Sequence, residues 1–442
     1  MEIWALVMLA TVVVLLFLGY PVAFTLGAVS AGFGLVWLGL DFFSLLPMRI
    51  WGVMTNFTLI SVPLFIFMGV LLEKSGIAEE LLETMGMLFG RLRGGMAISI
   101  VLVGTLLAAT TGVVGATVVT MTVIALPAML KHGFSPNLAT GTIAASGTLG
   151  QIIPPSVILI ILSDVMGVPA GQLFAAAVIP GLLLVAAYIL YIAWVAWRRP
   201  SQAPAIKREG ALAIDNRTLI LKVFSSLLPP LVLVIAVLGS IFFGIASPTE
   251  SAAIGAIGAL VLALTHRRLT LSNLQDAMRS TTRLTSMVFI ILIGATAFGL
   301  VFRGMGGDAL VHEMMTNLPG GVWGFLVVSM LLLFVLGFFL DFLEICFIAV
   351  PILVPIAAHF GIDPLWFAVL IAVNLQTSFL TPPFGFSLFY LKAAAPPQIT
   401  MTQIYRGIIP FVVLQLAVLA LVIAFPDFAT WLPGLLDAVQ GL

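Results

Sequence analysis

Two acidic residues lie three positions apart inside an otherwise apolar stretch of this sequence. Asp341 and Glu344 are the only charged residues within residues 322–358, and at this spacing two side chains share one face of a helix. A carboxylate at membrane depth costs roughly 2.5–3.5 kcal/mol even on insertion scales, so it is functional by default. The pair predicts cation coordination, proton coupling or a latch to Gln376 or Thr377. The alternative is a polar tip that faces an aqueous cavity.

Two other apolar segments are interrupted by hydroxyl side chains, glycines and a pair of prolines. Residues 146–156 read SGTLGQIIPPS, and residues 374–383 read NLQTSFLTPP. Proline removes a backbone donor and glycine permits unusual dihedral angles, so each segment predicts a broken helix. The freed carbonyls and the hydroxyls are hard oxygen ligands suited to sodium, and the half-helix after each proline pair directs positive potential towards a carboxylate. Two purely structural proline kinks are the alternative.

The composition indicates that these groups lie in a membrane. Of the 442 residues, 62% are hydrophobic and 8% are charged, whereas a soluble domain carries about 25% charged residues. A net charge of zero removes the basic pattern of a nucleic-acid binder. The single cysteine, Cys346, permits no intrachain disulfide. We find no phosphate-binding GxxxxGK[ST] motif, no nucleophile elbow and no metal-ligand spacing of histidines. The sequence predicts an all-α polytopic membrane protein that is not an enzyme.

The positions of the cations decide how the apolar segments cross the membrane. Sixteen of the 18 Lys and Arg residues fall on one side only if residues 96–130 and 322–358 are re-entrant hairpins. The positive-inside rule then makes that side cytoplasmic, which predicts a multi-pass protein of a bacterial inner membrane. Arg49 and Arg303 remain outside. Arg303 is predicted to attract an anionic substrate or to grip a delivery protein, and contact with lipid headgroups or with Asp308 is the alternative.

Amphipathic segments fill much of the remaining sequence. Residues 77–93, 271–283 and 305–318 place apolar side chains at helical spacing opposite charged ones. This pattern predicts helices that rest on the lipid headgroups.

The chain divides into two matching halves, residues 1–197 and 219–442, which are joined by a polar linker at 198–218. The proline pairs of the two halves lie 228 positions apart, and several single glycines and prolines repeat at the same offset. Each half contains one hairpin, one broken helix (138–166 or 365–391) and five crossings. An odd number of crossings inverts the second half, which is the plan of secondary transporters that bind substrate at broken helices.

Three motifs in this sequence resemble the large membrane subunit of tripartite ATP-independent periplasmic (TRAP) transporters. They are LATGTIAASGTLGQIIPPS at 138–156, GxxxD at 337–341 and TPPFGFSLFYLK at 381–392. The resemblance covers essentially the whole chain. It implies an elevator mechanism, a small four-helix membrane subunit and a periplasmic substrate-binding protein that delivers an organic acid. It also implies coupling to sodium, with no other cofactor.

Carried over onto matching positions, the resemblance implies two sodium sites with a substrate site between the hairpin tips. The sodium ligands would come from Thr110, Thr111, Gly112, Ser146, Gly147, Gly150, Pro154, Gly337, Asp341, Gln376, Thr377, Thr381 and Pro382. The substrate contacts would come from Gly112, Gln151, Ser156, Arg303, Asp341 and Thr381. Many family members carry a Ser-Gly-Ser-Ser-like first tip, whereas this tip reads TTGVVG, so backbone carbonyls would have to coordinate more of the cation.

The predicted function is therefore ion-coupled import of an organic acid, with a 2-oxo acid or another monocarboxylate favoured over sialic acid. The alternatives are a stand-alone dicarboxylate or anion carrier without a binding protein, and coupling to protons. A channel would need a continuous polar lining and an intramembrane enzyme would need a catalytic dyad, and the sequence contains neither pattern.

Overall fold

The fold is all-helical, as predicted. The computed structural model describes residues 1–111, 114–206, 216–382 and 385–440, and no strand occurs within these ranges. The 62% of hydrophobic residues supply long apolar runs, and a helix is the element that satisfies all its backbone groups internally in lipid.

Ten α-helices precede the polar linker. They are α1 Glu2–Phe17, α2 Val22–Trp37, α3 Leu46–Met54, α4 Phe57–Lys74, α5 Ile77–Phe89, α6 Gly95–Thr111, α7 Val114–Lys131, α8 Pro136–Thr148, α9 Val157–Met166 and α10 Ala170–Arg198. Short 3-10 helices cover Leu40–Leu45 and Leu149–Gln151.

Eleven α-helices follow the linker. They are α11 Asn216–Phe242, α12 Pro248–Thr265, α13 Leu271–Gly304, α14 Gly307–Thr316, α15 Val322–Leu336, α16 Phe342–Ile348, α17 Val350–His359, α18 Pro364–Leu380, α19 Phe386–Ala394, α20 Met401–Ala424 and α21 Asp427–Gln440. From α4 and α13 onwards the two halves share one order of elements: long helix, amphipathic helix, hairpin, broken helix and long helix.

Several helices are long and apolar enough to cross a membrane. Within the described residues these are α4, α7, α10, α11, α12, α13 and α20, and the pair α16–α17, bent by 52°, would make an eighth. Helices α1 and α2 have 16 residues each, or about 24 Å at 1.5 Å per residue, somewhat short of the hydrocarbon core. The chain is thus a multi-span helical membrane protein, while the ten crossings and the inverted halves stay predictions.

The first hairpin, α6 and α7, begins and ends beside the same two linker residues. The N–H of Gly94, just before α6, donates to the carbonyl of Ala203 at 3.0 Å. The N–H of Ser135, after α7, donates to the carbonyl of Gln202, also at 3.0 Å. The chain therefore returns to the place it left.

The second hairpin, α15 to α17, closes through aromatic rings at its base. The rings of Phe325 in α15 and Phe360, which follows α17, have centroids 5.5 Å apart. The return limb is bent between α16 and α17. Re-entry of both segments within a bilayer stays a prediction.

One amphipathic segment differs from its prediction. Residues 271–283 do not form a separate helix on the membrane surface but continue into the following span as the 34-residue α13. The physical reason is local, because no glycine or proline occurs between Leu271 and Gly294. Thr270 fixes the start, since its hydroxyl oxygen accepts the N–H of Asn273 at 3.1 Å.

Helices α8 and α20 cross at two glycines whose backbones nearly touch. A Cβ on Gly141 would overlap the carbonyl oxygen of Gly407, and a Cβ on Gly407 would overlap the carbonyl oxygen of Asn137. Small residues of this kind let membrane helices approach closely. The first broken helix is thereby held against the last long helix of the chain.

We expect Gly407→Ala to lower the free energy of unfolding by about 1–3 kcal/mol, the usual cost of overpacking, because a backbone oxygen cannot move aside cheaply. Gly239→Ala is the matched control, since a Cβ there meets no atom within 4 Å. The control should leave stability unchanged or raise it by up to ~1 kcal/mol through helix propensity. Thermal unfolding in detergent, followed by tryptophan fluorescence, compares the two, and equal midpoints would contradict the close crossing.

Candidate functional site

Two broken helices form the centre of the site. Between α8 and α9 the chain passes through a 3-10 turn at Leu149–Gln151 and a cis Pro154-Pro155 bond. The Ser156 hydroxyl then donates back to the Gly150 carbonyl at 2.8 Å. At the second break, the Ser387 hydroxyl in α19 donates to the Phe379 carbonyl of α18, also at 2.8 Å. Each break thus satisfies a freed carbonyl with a hydroxyl from its own far side.

The two breaks meet through residues at equivalent positions of the two halves. The Gln376 Nε2 atom lies 3.5 Å from the Thr148 Oγ1 atom, and these residues are 228 positions apart. This is the offset that separates the two proline pairs. Both side chains are fully buried.

Hydroxyl groups around the breaks present oxygen lone pairs rather than hydrogens. Each donates its hydrogen to a carbonyl in its own helix, at 2.6–2.9 Å, as in Ser146 to Thr142, Thr148 to Ala145, Thr377 to Val373, Ser378 to Leu375 and Thr381 to Thr377. A hydroxyl has one hydrogen and two acceptor lone pairs, so the oxygens can still accept. Hard cations take such oxygens as ligands. Within the described residues no group of three His, Cys, Asp or Glu could hold a metal ion.

The hairpins press directly onto the breaks. A Cβ on Gly147 would overlap the side chain of Val118 in α7, and a Cβ on Gly337 would overlap the Ser378 hydroxyl. The Asn374 amide donates to the Met330 carbonyl of α15 at 2.8 Å. Gly147 and Gly337 are therefore needed because there is no room for a side chain.

The two acidic residues of the second hairpin form a capping box at the start of α16. The Asp341 carboxylate accepts the N–H of Phe342 at 2.7 Å, and the Glu344 carboxylate accepts the N–H of Asp341 at 3.1 Å. Their spacing thus has a structural reason, because residues N-cap and N3 satisfy each other's backbone donors. Asp341 remains exposed and Glu344 half-buried.

The predicted latch would join these acids to Gln376 or Thr377 of α18, and both of these side chains have hydrogen-bond partners elsewhere. The Gln376 amide nitrogen reaches Thr148, and the Thr377 hydroxyl donates to the Val373 carbonyl at 2.8 Å. The Gln376 amide oxygen has no hydrogen-bond partner.

The remaining predicted ligands fall into three groups. Gly112 lies outside the described residues, as do the side chains of Thr110 and Thr111. Gln151 and Ser156 are fully buried, while Thr381 and Pro382 are half-buried at the second break. Arg303 is exposed and lines cavities that include none of Gln151, Ser156, Asp341 or Thr381.

Three aromatic and amide side chains near the breaks were missed by the sequence analysis. A Cβ on Gly115, at the start of the second limb of the first hairpin, would lie 3.0 Å from the ring of Tyr390, and Tyr390 interacts electrostatically with Asp341. Tyr390 thus lies between the two hairpins. Tyr188 in α10 faces Gln376 and Gln415 without a standard hydrogen bond to either. The available indication was a polar side chain within an apolar run, as at Tyr188 in α10 and Gln415 in α20.

Solved structures show the same fold at low sequence identity. The YdaH transporter of Alcanivorax borkumensis superposes with a TM-score of 0.63 at 16% identity, covering 93% of this chain and 98% of that one. MtrF of Neisseria gonorrhoeae superposes with a TM-score of 0.58 at 12% identity, covering 88% and 85%.

Sequence relatives cover nearly the entire chain. The sialic acid TRAP transporter large permease protein SiaM of Vibrio cholerae serotype O1 is 32% identical over 95% of this chain and 96% of its own length. A family model described as "Tripartite ATP-independent periplasmic transporter, DctM component" matches residues 9–428. The chain therefore belongs to the DctM family of TRAP transporters, as the large permease component.

Proposed function

We propose that this chain imports an organic acid by sodium-coupled secondary transport. One observation supports the proposal most strongly: two broken helices, matched in sequence, touch at Thr148 and Gln376, 228 positions apart. Paired helix breaks at one axis are where secondary transporters bind substrate and coupling ions. The substrate class remains organic acids, with a 2-oxo acid or other monocarboxylate as the first to test.

The charges at the second hairpin give a reason for coupling. Asp341 and Glu344 share one capping box, so a carboxylate substrate arriving at the tip meets negative charge. Two unit charges at 4 Å repel by about 4 kcal/mol at an effective dielectric constant of 20. A sodium ion bound beside the tip would neutralise this repulsion, so ion and substrate would each raise the other's affinity.

The packing supports motion of the site as one body. Each hairpin rests on a break through a position with no room for a side chain, at Gly147 and Gly337. An elevator movement would carry hairpins and broken helices together past the remaining helices. A small membrane subunit and a periplasmic binding protein that supplies the acid complete the proposed system.

The direct test is uptake into proteoliposomes that contain this chain and its small subunit. Radiolabelled pyruvate, succinate and sialic acid serve as probes, with and without the loaded binding protein. We expect uptake of one of them only with the binding protein. Equal uptake without it would favour a stand-alone carrier.

Asp341→Asn separates the charge of Asp341 from its capping role. Asparagine caps helices about as well as aspartate, so we expect a folded protein whose uptake falls at least tenfold because the negative charge is lost. Asp363→Asn is the matched control, since Asp363 caps α18 through the Trp366 N–H at 2.8 Å away from the tips. Wild-type uptake by Asp341→Asn would contradict the assigned site.

Thr381→Ala removes one of the hydroxyl oxygens at the second break. We expect uptake to be lost and Thr381→Ser to restore it, because serine keeps the hydroxyl group, which in the native protein donates to the Thr377 carbonyl at 2.7 Å. Thr265→Ala, at the exposed end of α12, is the control. Equal uptake by Thr381→Ala and the control would remove Thr381 from the site.

The coupling ion is identified by the imposed gradient. An inward sodium gradient should accelerate uptake in the presence of the loaded binding protein, and a proton gradient alone should not. Uptake that responds to the proton gradient and ignores sodium would assign coupling to protonation of Asp341 and Glu344.

A further inference from the structure

The two arginines that depart from the predicted one-sided distribution of Lys and Arg residues line one cavity. Arg49 and Arg303 are 254 positions apart. They are the only Lys or Arg residues that the predicted membrane crossings leave on the outer side. Both side chains are exposed, and both line the same cavity of about 640 Å³. We call it the outer cavity.

The outer cavity has walls from separate parts of the chain. Arg49 comes from α3, Thr296 and Arg303 come from α13, and Phe347 and Pro351 come from the return limb of the second hairpin. Among the described residues that line it there is no Asp or Glu. The cavity therefore carries two positive charges without an acid in its wall.

Two acids close to the wall, Asp164 and Asp308, are engaged elsewhere or line another space. Asp164 accepts a hydrogen bond from the Asn56 amide at 2.5 Å, and the other end of that amide accepts the Thr58 N–H at 2.9 Å. Asp308 lines a second cavity of about 460 Å³, which shares Arg303 and Pro351 with the first. Arg303 therefore shares this second cavity with an acid, Asp308.

We propose that the outer cavity is a vestibule in which Arg49 and Arg303 bind the carboxylate of the substrate before it reaches the hairpin tips. The inference rests on the proposed transport of an organic acid and adds a separate site to it. Guanidinium groups bind carboxylates through paired, charge-assisted hydrogen bonds. The volume lies within the range of about 300–1,000 Å³ for small-molecule sites.

The position of the vestibule connects it to the candidate site. Its hairpin wall, Phe347 and Pro351, flanks the end of α16, the seven-residue helix that Asp341 caps. Seven helical residues span about 10 Å. An anion held by the arginines would thus lie about one short helix away from the tip.

The first experiment measures the anion preference of the cavity without any transport. Thr296→Cys places a thiol in the wall, and the native Cys346 is buried and should not compete. The thiol reacts with an anionic reagent, sulfonatoethyl methanethiosulfonate, or with its cationic trimethylammonium counterpart. Charged clefts raise local counter-ion concentrations by about 10- to 1,000-fold, so we expect the anionic-to-cationic rate ratio to fall at least tenfold when Arg49→Gln and Arg303→Gln are added together.

Matched variants isolate the effect of charge and position. Arg49→Lys with Arg303→Lys should preserve most of the ratio, because both charges remain. Arg279→Gln removes an exposed cation near the opposite end of α13 and should leave the ratio unchanged. Sodium acetate should slow the anionic reagent more than sodium chloride at equal ionic strength. A ratio that is the same with and without the two arginines would overturn the vestibule.

The second experiment separates substrate capture from docking of the binding protein. In the reconstituted system, the double variant Arg49→Gln with Arg303→Gln should lower uptake at least tenfold when the loaded binding protein is limiting. The affinity of the binding protein for the permease should stay unchanged. If affinity falls by the same factor as uptake, the arginines serve docking and the vestibule is wrong. If the wild type imports no organic acid, the proposed function fails, while the labelling ratio still reports on the anion cavity.

Discussion

Satisfying the backbone polar groups at two helix breaks is the constraint on which the rest of this structure depends. Lipid offers no hydrogen-bond partner, so every unpaired carbonyl at membrane depth must find one in the protein. Here Ser156 and Ser387 donate to carbonyls on the near side of each break, at 2.8 Å in both cases. Hairpins then cover the breaks at Gly147 and Gly337. The helix breaks, the hairpin contacts and the glycine positions therefore all follow from this one constraint.

Much of this architecture could be predicted because its determinants are local. Helix α8 ends before Pro154 and helix α18 ends before Pro382, whereas Pro229-Pro230 lies inside the continuous α11. A proline pair therefore breaks a helix together with its glycine and hydroxyl neighbours, and the fixed offset between the two breaks is visible without coordinates. Thr148 and Gln376 are separated by this same offset, but the sequence could not say that these two residues touch. The balance of cations predicted that Arg49 and Arg303 lie on the outer side, but it could not say that both line one cavity.

The features that the sequence analysis missed have both local and tertiary causes. The spacing of Asp341 and Glu344 fitted an ion site, and the structure adds a reciprocal capping box that the same spacing serves equally well. Tyr390 became part of the site only through the meeting of two hairpins that are distant in sequence. Residues 271–283 have the composition of a surface helix, but the absence of a breaker lets α13 continue through them.

The bonds at the base of the first hairpin have a consequence for how the halves are joined. Gly94 and Ser135 both donate to carbonyls of consecutive linker residues, Ala203 and Gln202, each at 3.0 Å. The start of the linker is therefore bonded to both ends of the hairpin, so a displacement of the hairpin past α10 must either carry residues 202–203 with it or break both bonds. Because main-chain atoms alone form these bonds, side chains at this joint can diverge during evolution while the mechanical connection persists.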